Sequence, residues 1–316
     1  MNAVRHYIVR RLLSAVPVLL GISLLAFVLA QLSPGDPAEI MLEAAGTGMP
    51  SAEEVAALHS YLGLDQPAYV QYGLWLWRIL HGDGGISYHL GMPVFTVLLA
   101  RLPVTVMLAA ASLCWAAVGG IGLGLLMARM RGTGAAMLLH GVTQVMLATP
   151  SFLTAILLIL IFGVWLHVLP TNGVDAAAGY LLPSFALALV TLAMTAQLLD
   201  AQLREALASL YAQTARLRGL SEGRVLLTYA LPNALVPVTA MLGNFAAAVL
   251  GGAIIVETVF ALPGIGSLAL DAIHYRDYPL LQGYVLFLGS IYVLVTLAVD
   301  LVLARMDPRI VLGGGD

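Results

Sequence analysis

The amino-acid sequence predicts an all-α integral membrane protein with six transmembrane helices and with both termini on the cytoplasmic side. Of the 316 residues, 60% are hydrophobic and 10% are charged, and the mean hydropathy is +0.95. A soluble chain of this length carries far more charge, so these values place the chain in a lipid bilayer. The formal net charge of -3 is too small to indicate a nucleic acid or another highly charged partner.

Six apolar stretches with little or no charge define the predicted spans, because about 20 residues cross the hydrocarbon core of a membrane. They cover residues 12–32, 102–128, 135–165, 176–199, 233–256 and 279–299. Pro150 lies inside the third stretch and removes a helical hydrogen bond. We therefore expect one kinked helix there, rather than two separate spans.

The arginines indicate the orientation, since cytoplasmic loops are enriched in basic residues. All 14 basic residues are arginine, and with six spans only Arg78, Arg101 and Arg276 fall on the external side. A seventh span would move the four arginines of the 200–232 loop outside, against this rule. The first segment, residues 1–32, has no cleavage site of the signal-peptide type and is predicted to be a retained helix.

Residues 33–101 are predicted to form a small helical subdomain outside the membrane. Ser51 and Glu54 form a capping-box pattern that begins a helix ending at Gly63. A second helix follows Pro67 and runs to about His81. One of its faces is apolar, through Val70, Leu74, Trp77 and Leu80. This face predicts contact either with the membrane interface or with a partner, and the sequence leaves both open.

The loop between the fourth and fifth spans, residues 200–232, contains a helix-forming segment, Gly219 and then Pro232. A helix that ends at a glycine and re-enters the bilayer at a proline predicts a rigid lever between two spans. Leu210, Leu217 and Leu220 would supply apolar contacts to a partner. Arg216, Arg218 and Arg224 would supply charges for an acidic surface. The alternative is an ordinary positively charged loop.

Several kinds of catalytic chemistry find no support in the sequence. The chain has no lysine, so the phosphate-binding loop of nucleotide hydrolases is absent. No H-E-x-x-H or G-x-S-x-G pattern occurs, which argues against a metalloprotease and a serine hydrolase. Gly120 and Gly124 lie inside an apolar span, where their spacing favours close helix packing. We expect a non-catalytic chain that binds no cofactor itself.

A set of short motifs resembles one known family of importers. Importer permeases carry a cytoplasmic E-A-A-x3-G-x9-I-x-L-P motif, and here the same frame contains Gln213, Thr214, Ala215, Gly219, Tyr229, Ala230, Leu231 and Pro232. The glutamate and the isoleucine of the motif are replaced by Gln213 and Tyr229. Other landmarks follow in order: Ser33-Pro34-Gly35-Asp36-Pro37, Leu62-Gly63-Leu64-Asp65-Gln66-Pro67, Arg276-Asp277-Tyr278-Pro279 and Met306-Asp307-Pro308-Arg309-Ile310. Together they resemble the dipeptide/oligopeptide/nickel permeases of ATP-binding-cassette (ABC) importers, in the B-type subunit.

The resemblance implies a bacterial inner-membrane subunit that forms half of a translocation pathway. It implies a core of spans over residues 102–306, a cytoplasmic tail at 307–316, and a docking helix within 205–222. The coupling residues would be Gln213, Thr214, Ala215, Arg216, Leu217, Arg218, Gly219 and Leu220. Implied partners are a homologous second permease, two ABC ATPases that hold ATP and Mg²⁺, an extracytoplasmic binding protein, and membrane lipids. Two short segments are similar to the nickel branch, so nickel (free or chelated) and short peptides both stay open.

Four ionisable residues are candidates for the pathway: Glu257, Asp271, His81 and His89. Glu257 ends the predicted fifth span, where a structural role is favoured over a pathway role. The two histidines could meet a metal ion, although no firm metal site is predicted. A secondary transporter or channel driven by an ion gradient is the alternative class. It is disfavoured because the spans are nearly free of charge.

Overall fold

The computed structural model describes residues 2–32, 35–44, 50–173 and 177–306, with side chains from Arg11 onwards. Within these ranges the chain is helical and contains no β-strand. The predicted tail 307–316, with most of its Met306–Ile310 motif, lies outside the described residues, and so do Ser33 and Pro34.

The described residues form fifteen α-helices. They are α1 Asn2–Gln31, α2 Pro37–Ala44, α3 Ala52–Leu62, α4 Ala68–Leu80, α5 Val94–Cys114, α6 Gly120–Arg129, α7 Gly134–Ala148, α8 Ser151–Leu158, α9 Leu181–Ala208, α10 Leu210–Leu217, α11 Glu222–Arg224, α12 Leu231–Gly252, α13 Ile254–Val259, α14 Ile265–His274 and α15 Tyr278–Met306. Wider π-helical turns occupy Trp115–Gly119, Ile159–Trp165 and Val225–Ala230, and a 3-10 turn occupies Ala177–Tyr180.

Within the described ranges, five helical stretches are long and apolar enough to cross a bilayer: Arg11–Gln31, Val94–Arg129, Ala177–Ala208, Glu222–Gly251 and Tyr278–Met306. A sixth span is obtained if Gly134–Ala148 and Ser151–Trp165 are counted together, although they meet at 103°. The expected kink at Pro150 is therefore a full break. Thr149, which precedes the proline, is extended and ends α7, since a residue before proline disfavours the helical region.

Three span boundaries differ from the predictions. The second span begins at Val94 and includes Arg101, so its first turns come from the predicted external subdomain. The fourth runs on to Ala208, because the helix-forming residues after Asp200 continue it without interruption. The fifth breaks at Ala253, which places Glu257 in the separate short helix α13.

The fourth span is the centre of the bundle, and its close contact with α6 depends on glycine. A Cβ atom added at Gly120 would lie 2.5 Å from the Cβ of Thr195, and one at Gly124 would lie 2.8 Å from the carbonyl oxygen of Ala196. Any larger side chain would push the two helices apart. The prediction that these glycines serve helix packing is confirmed.

Contacts between helix termini define two ends of the bundle. At one end, which we call the Asp200 end, Arg131 contacts Asp200. At the opposite end, which we call the Glu257 end, Thr105 contacts Glu257. The second span runs from the Glu257 end, where it contributes Thr105, to the Asp200 end, where Arg131 follows it.

The subdomain between the first two spans contains the two predicted helices. Ser51 and Glu54 form the capping box of α3, and Gly63 ends that helix in the left-handed conformation. Helix α4 lies on the first span, where Tyr72 is 5.4 Å from Phe27 by ring centroids and hydrogen-bonds Ser23 at 2.8 Å. Its other side exposes Tyr69, Leu74, Trp77 and Leu80. The helix therefore contacts the protein on one side and leaves an aromatic surface open on the other.

Candidate coupling loop and buried carboxylates

The loop at the Asp200 end carries one short amphipathic helix, α10. Ser209 caps it by accepting a hydrogen bond from the backbone N–H of Ala212. Ala212 and Ala215 are buried and pack against Val225, at the entry to the fifth span. Small side chains are required here, because the helix lies close to the span that it joins.

The opposite face of α10 is open. Leu210 and Leu217 are 81% and 89% exposed, and Gln213 and Thr214 are exposed beside them. Leu220, in contrast, packs inward against the buried alanines. Two of the three predicted apolar contacts are thus available at the surface, and the third holds the loop in place.

Gly219 ends the loop helix in the left-handed region, with φ +80°. No atom lies within 4 Å of the position of an added Cβ, so the glycine is needed for its backbone conformation and not for space. Its N–H donates to the carbonyl oxygen of Arg216 at 2.9 Å. Arg218, next to it, is exposed.

Arg216 uses its donors inside the loop. Its Nε and Nη2 donate to the two carboxylate oxygens of Glu222 at 2.7 and 3.2 Å, and its Nη1 donates to the carbonyl oxygen of Leu207 at 2.8 Å. This guanidinium therefore ties the end of the fourth span to the start of the fifth. Arg216 is thus paired with Glu222 within the chain, and its predicted contact with an acidic partner stays a prediction. Arg218 and Arg224, which follow α10, are exposed.

Asp200 forms a charge cluster that the sequence analysis did not identify. Its side chain is 2% exposed, and its two oxygens lie 2.8 Å from Arg131 Nη2 and from Arg204 Nη2. His140 Nε2 is 3.6 Å away. The cluster joins the second, third and fourth spans immediately before α10. An acidic residue at the end of a charge-free run, followed four residues later by arginine, is the pattern that could have indicated it.

Glu257 is fully buried at the opposite end, and its contacts are structural. Its Oε1 accepts from the hydroxyl of Thr105 at 2.6 Å, and its Oε2 accepts from the backbone N–H of Ser267 at 2.9 Å. A Cβ at Gly264 would lie 2.2 Å from the carboxyl carbon. The carboxylate thus holds the turn that leads into α14, which favours the structural role over the pathway role.

The other pathway candidates lie in different places. The ring of His81 packs against Trp77 at 4.2 Å on its own helix, and its Nδ1 lies 2.8 Å from the carbonyl oxygen of that residue. His89 and Asp271 line one small cleft at the Glu257 end, together with Arg101. Among the described residues, no three His, Cys, Asp or Glu side chains are grouped to hold a metal ion.

Asp277 is a second buried carboxylate at the Glu257 end. It accepts hydrogen bonds from the Ser87 hydroxyl and, at 3.1 and 3.2 Å, from the backbone N–H groups of His89 and Leu280. It therefore caps the last span and fixes the turn after α4 to it. The position of an aspartate just before Tyr278 and Pro279 is typical of a helix start, which could have indicated this role.

Comparisons with known proteins identify the family of this chain. Residues 120–312 match the family described as binding-protein-dependent transport system inner membrane component, and residues 4–109 match its N-terminal segment. The chain belongs to this family. The family resemblance inferred from the motifs is confirmed.

Individual relatives cover almost the whole chain. A protein of Brucella suis biovar 1, whose name describes a peptide transport system permease, is 38% identical over 96% of this chain and 98% of its own length. The glutathione transport system permease protein GsiC of Escherichia coli K12 is 35% identical over 96% and 98%. Neither name supports the nickel branch, which stays a prediction.

A solved structure shows the same fold. A chain of the MetNI methionine ABC transporter, in an inward-facing conformation, superposes with a TM-score of 0.56 and 17% identity. The match covers 67% of this chain and 97% of the other. The fold shared with that chain therefore covers about two thirds of this chain.

Proposed function

We propose that this chain is one permease subunit of an ABC importer that carries short peptides delivered by an extracytoplasmic binding protein. The observation that carries the proposal is the 38% identity, over nearly both full lengths, to a relative named for peptide transport. Peptides are favoured over nickel because the two relatives are named for peptide and for glutathione transport. Glutathione, the substrate named for the second relative, is itself a short peptide.

The chain works without catalysis of its own in this proposal. A homologous permease completes the pathway, and two ATPase subunits hold ATP and Mg²⁺. One of the ATPases docks on the open face of α10, where Leu210 and Leu217 supply apolar contacts and Arg218 supplies charge. The coupling residues are those of the predicted motif, Gln213 to Leu220. Ala215 packs the helix onto the fifth span and Arg216 fixes its two ends.

The internal contacts of the loop explain how docking can move the spans. A displacement of α10 reaches the fifth span through Val225 and the fourth through the carbonyl oxygen of Leu207. Eight residues before Ala208, Asp200 joins the fourth span to Arg131 at the end of the second. The loop thus transmits motion to three spans at once.

We further propose six spans, with both termini and α10 in the cytoplasm of a bacterial inner membrane. Single cysteines can test this arrangement after Cys114 is replaced by alanine. Ala68 and Ser221 are both exposed and lie at opposite ends of the bundle. A cysteine at 68 should react with an impermeant reagent in intact cells, and one at 221 only after the membrane is opened. The reverse pattern would overturn the orientation.

Uptake by the reconstituted importer tests the function itself. Proteoliposomes containing both permeases, the ATPases and the binding protein should take up labelled dialanine or glutathione only when ATP is enclosed. Competing Ni²⁺ should not reduce this uptake. Liposomes containing this chain alone, with an ion gradient, provide the control for a secondary transporter. Uptake in that control, or ATP-driven uptake of Ni²⁺ and not of peptide, would refute the proposal.

A further inference from the structure

A small cleft at the Glu257 end gathers charged residues from four parts of the chain. Its volume is about 60 Å³. Arg101 comes from the second span, Asp271 from α14, Asp277 from the start of the last span, and His89 from the turn after α4. Leu268 and Leu280 supply apolar walls. Residues that are distant in sequence thus converge on one concave surface.

Arg101 is in an unusual position for an arginine. It lies seven residues after Val94, about 10 Å along the helix that forms the second span. Within the part of the chain that the structure describes, its guanidinium has neither an ion-pair nor a hydrogen-bond partner. An ionisable side chain inside a span is costly and is generally retained for function. Arg101 is half-buried, and its free donors are available to an acceptor from outside this chain.

Asp271 is the matching anion. Its carboxylate is exposed and, among the described residues, has no partner either, whereas the carboxylate of Asp277 is fully occupied. The His89 ring is held in place by stacking on Tyr275, with centroids 3.6 Å apart and planes at 6°. The cleft thus presents one free cation and one free anion, which line the same space without pairing with each other.

We propose that this cleft binds the charged ends of a peptide, with a carboxylate on Arg101 and an ammonium group on Asp271. Arginine is suited to the carboxylate because its planar group donates two parallel hydrogen bonds. The cleft is smaller than a dipeptide, so it holds the ends of the ligand while the rest lies outside. This inference rests on the proposed function and adds a recognition site for the substrate.

The same two charges could be met by a carboxylate and an ammonium group on side chains of the binding protein. The experiment therefore uses Arg101→Gln and Asp271→Asn in the reconstituted importer, with Arg78→Gln as the matched control. Arg78 is an exposed arginine of α4 and lies outside the cleft. The probes are dialanine, its C-terminal amide and its N-acetyl derivative.

If the substrate is the ligand, Arg101→Gln should reduce uptake of dialanine about tenfold. Loss of a hydrogen bond to a charged group lowers affinity by about tenfold to a hundredfold. Uptake of the amide should not change. Asp271→Asn should remove the preference for dialanine over its N-acetyl derivative. A uniform fall for all three probes, with weaker docking of ligand-free binding protein, would assign the same site to the binding protein's side chains.

Normal uptake and normal docking in both variants would overturn the proposal. Saturation-transfer NMR of dialanine with the purified complex separates this inference from the proposed function. Contact signals that disappear in Arg101→Gln and persist in Arg78→Gln would support the cleft, even for a wild-type complex that transports no peptide. Equal signals in wild-type protein and in both cleft variants would refute it.

Discussion

Asp200 and Glu257 are both buried carboxylates at opposite ends of the bundle, and they are satisfied in opposite ways. Asp200 is surrounded by Arg131, Arg204 and His140, whose side chains are between 37% and 62% exposed. The hydrogen bonds to the Glu257 side chain come from uncharged donors, a hydroxyl and a backbone N–H. The Asp200 end is thus stabilised by ion pairs, and the Glu257 end by hydrogen bonds from neutral donors.

This difference agrees with the proposed function, in which docking of an ATPase on α10 moves the spans at the Asp200 end. Long arginine side chains that reach water can follow a moving partner, so the Asp200 cluster can stay paired while the spans shift. Glu257 fits against two glycines, Gly264 and Gly266, where no larger residue has room. We therefore expect the Glu257 end to stay rigid during transport and the Asp200 end, which carries α10, to move.

The largest expected loss of stability follows from changing Glu257. Glu257→Ala should destabilise the protein by about 3 kcal/mol, because it leaves the Thr105 hydroxyl and the Ser267 N–H buried without an acceptor and creates a cavity. Thermal unfolding of the purified complex should show a Tm lower by several degrees. Glu257→Gln, which keeps the volume and one acceptor, should lose clearly less. Equal Tm values for Glu257→Ala and wild type would contradict the structural role of Glu257.

Charge removal at the other end should cost less. Asp200→Asn should lower stability by about 1 kcal/mol, because the two arginines left behind are partly exposed and remain hydrated. The Tm difference from wild type should shrink when salt is raised, since salt screens the lost ion pairs. The corresponding difference for Glu257→Gln should not depend on salt. If both differences respond equally to salt, the contrast between the two ends is wrong.

How much of this could be predicted from sequence depends on the range of the contacts. The capping box at Ser51, the stop at Gly63 and the packing role of Gly120 and Gly124 are set by neighbours or by simple periodicity, and all were predicted. The break at Pro150 was predicted only as a kink, because sequence gives the lost hydrogen bond but not the angle.

The contacts of the sites were harder to predict. Asp277 with Ser87 and Glu257 with Thr105 join residues more than 150 positions apart, and no local pattern encodes them. Arg216 was assigned to a partner because its contact with Glu222 runs across the turn at Gly219. The charge-free criterion for spans also cut the second helix at Arg101. That residue then became the main feature of the cleft.

The smallest expected effect on stability concerns Asp36, a carboxylate that is only half-buried. Burial acts to raise its pKa, but hydrogen bonds from the Ala38 N–H and from His59 outweigh burial, so its pKa lies below its usual value of 3.8. The stabilisation is therefore present above pH 3.8 and is lost as the pH falls through the lower, folded value.

The Tm difference between wild type and Asp36→Asn should persist from pH 7 down to about pH 4 and should disappear below that. Measuring the Tm of Asp200→Asn over the same pH range shows whether the loss below about pH 4 is specific to the Asp36–His59 pair. Loss of the Asp36 difference already near pH 6 would contradict the assignment to the carboxylate.

The most direct test of the central claim, that the 200–232 loop couples ATP hydrolysis to transport, is Gly219→Val. Valine at φ +80° is strained by at least about 1 kcal/mol and should misdirect the segment between α10 and the fifth span. Gly63→Val is the matched control, because Gly63 also ends a helix in the left-handed region, at φ +70°, with no atom within 4 Å of an added Cβ.

The measurement is ATP hydrolysis stimulated by loaded binding protein, together with peptide uptake, in complexes of verified subunit composition. Both rates should fall about tenfold or more in Gly219→Val and stay near wild type in Gly63→Val, while both variants assemble with the second permease. Normal stimulated hydrolysis and normal uptake in Gly219→Val would contradict the coupling role of the loop.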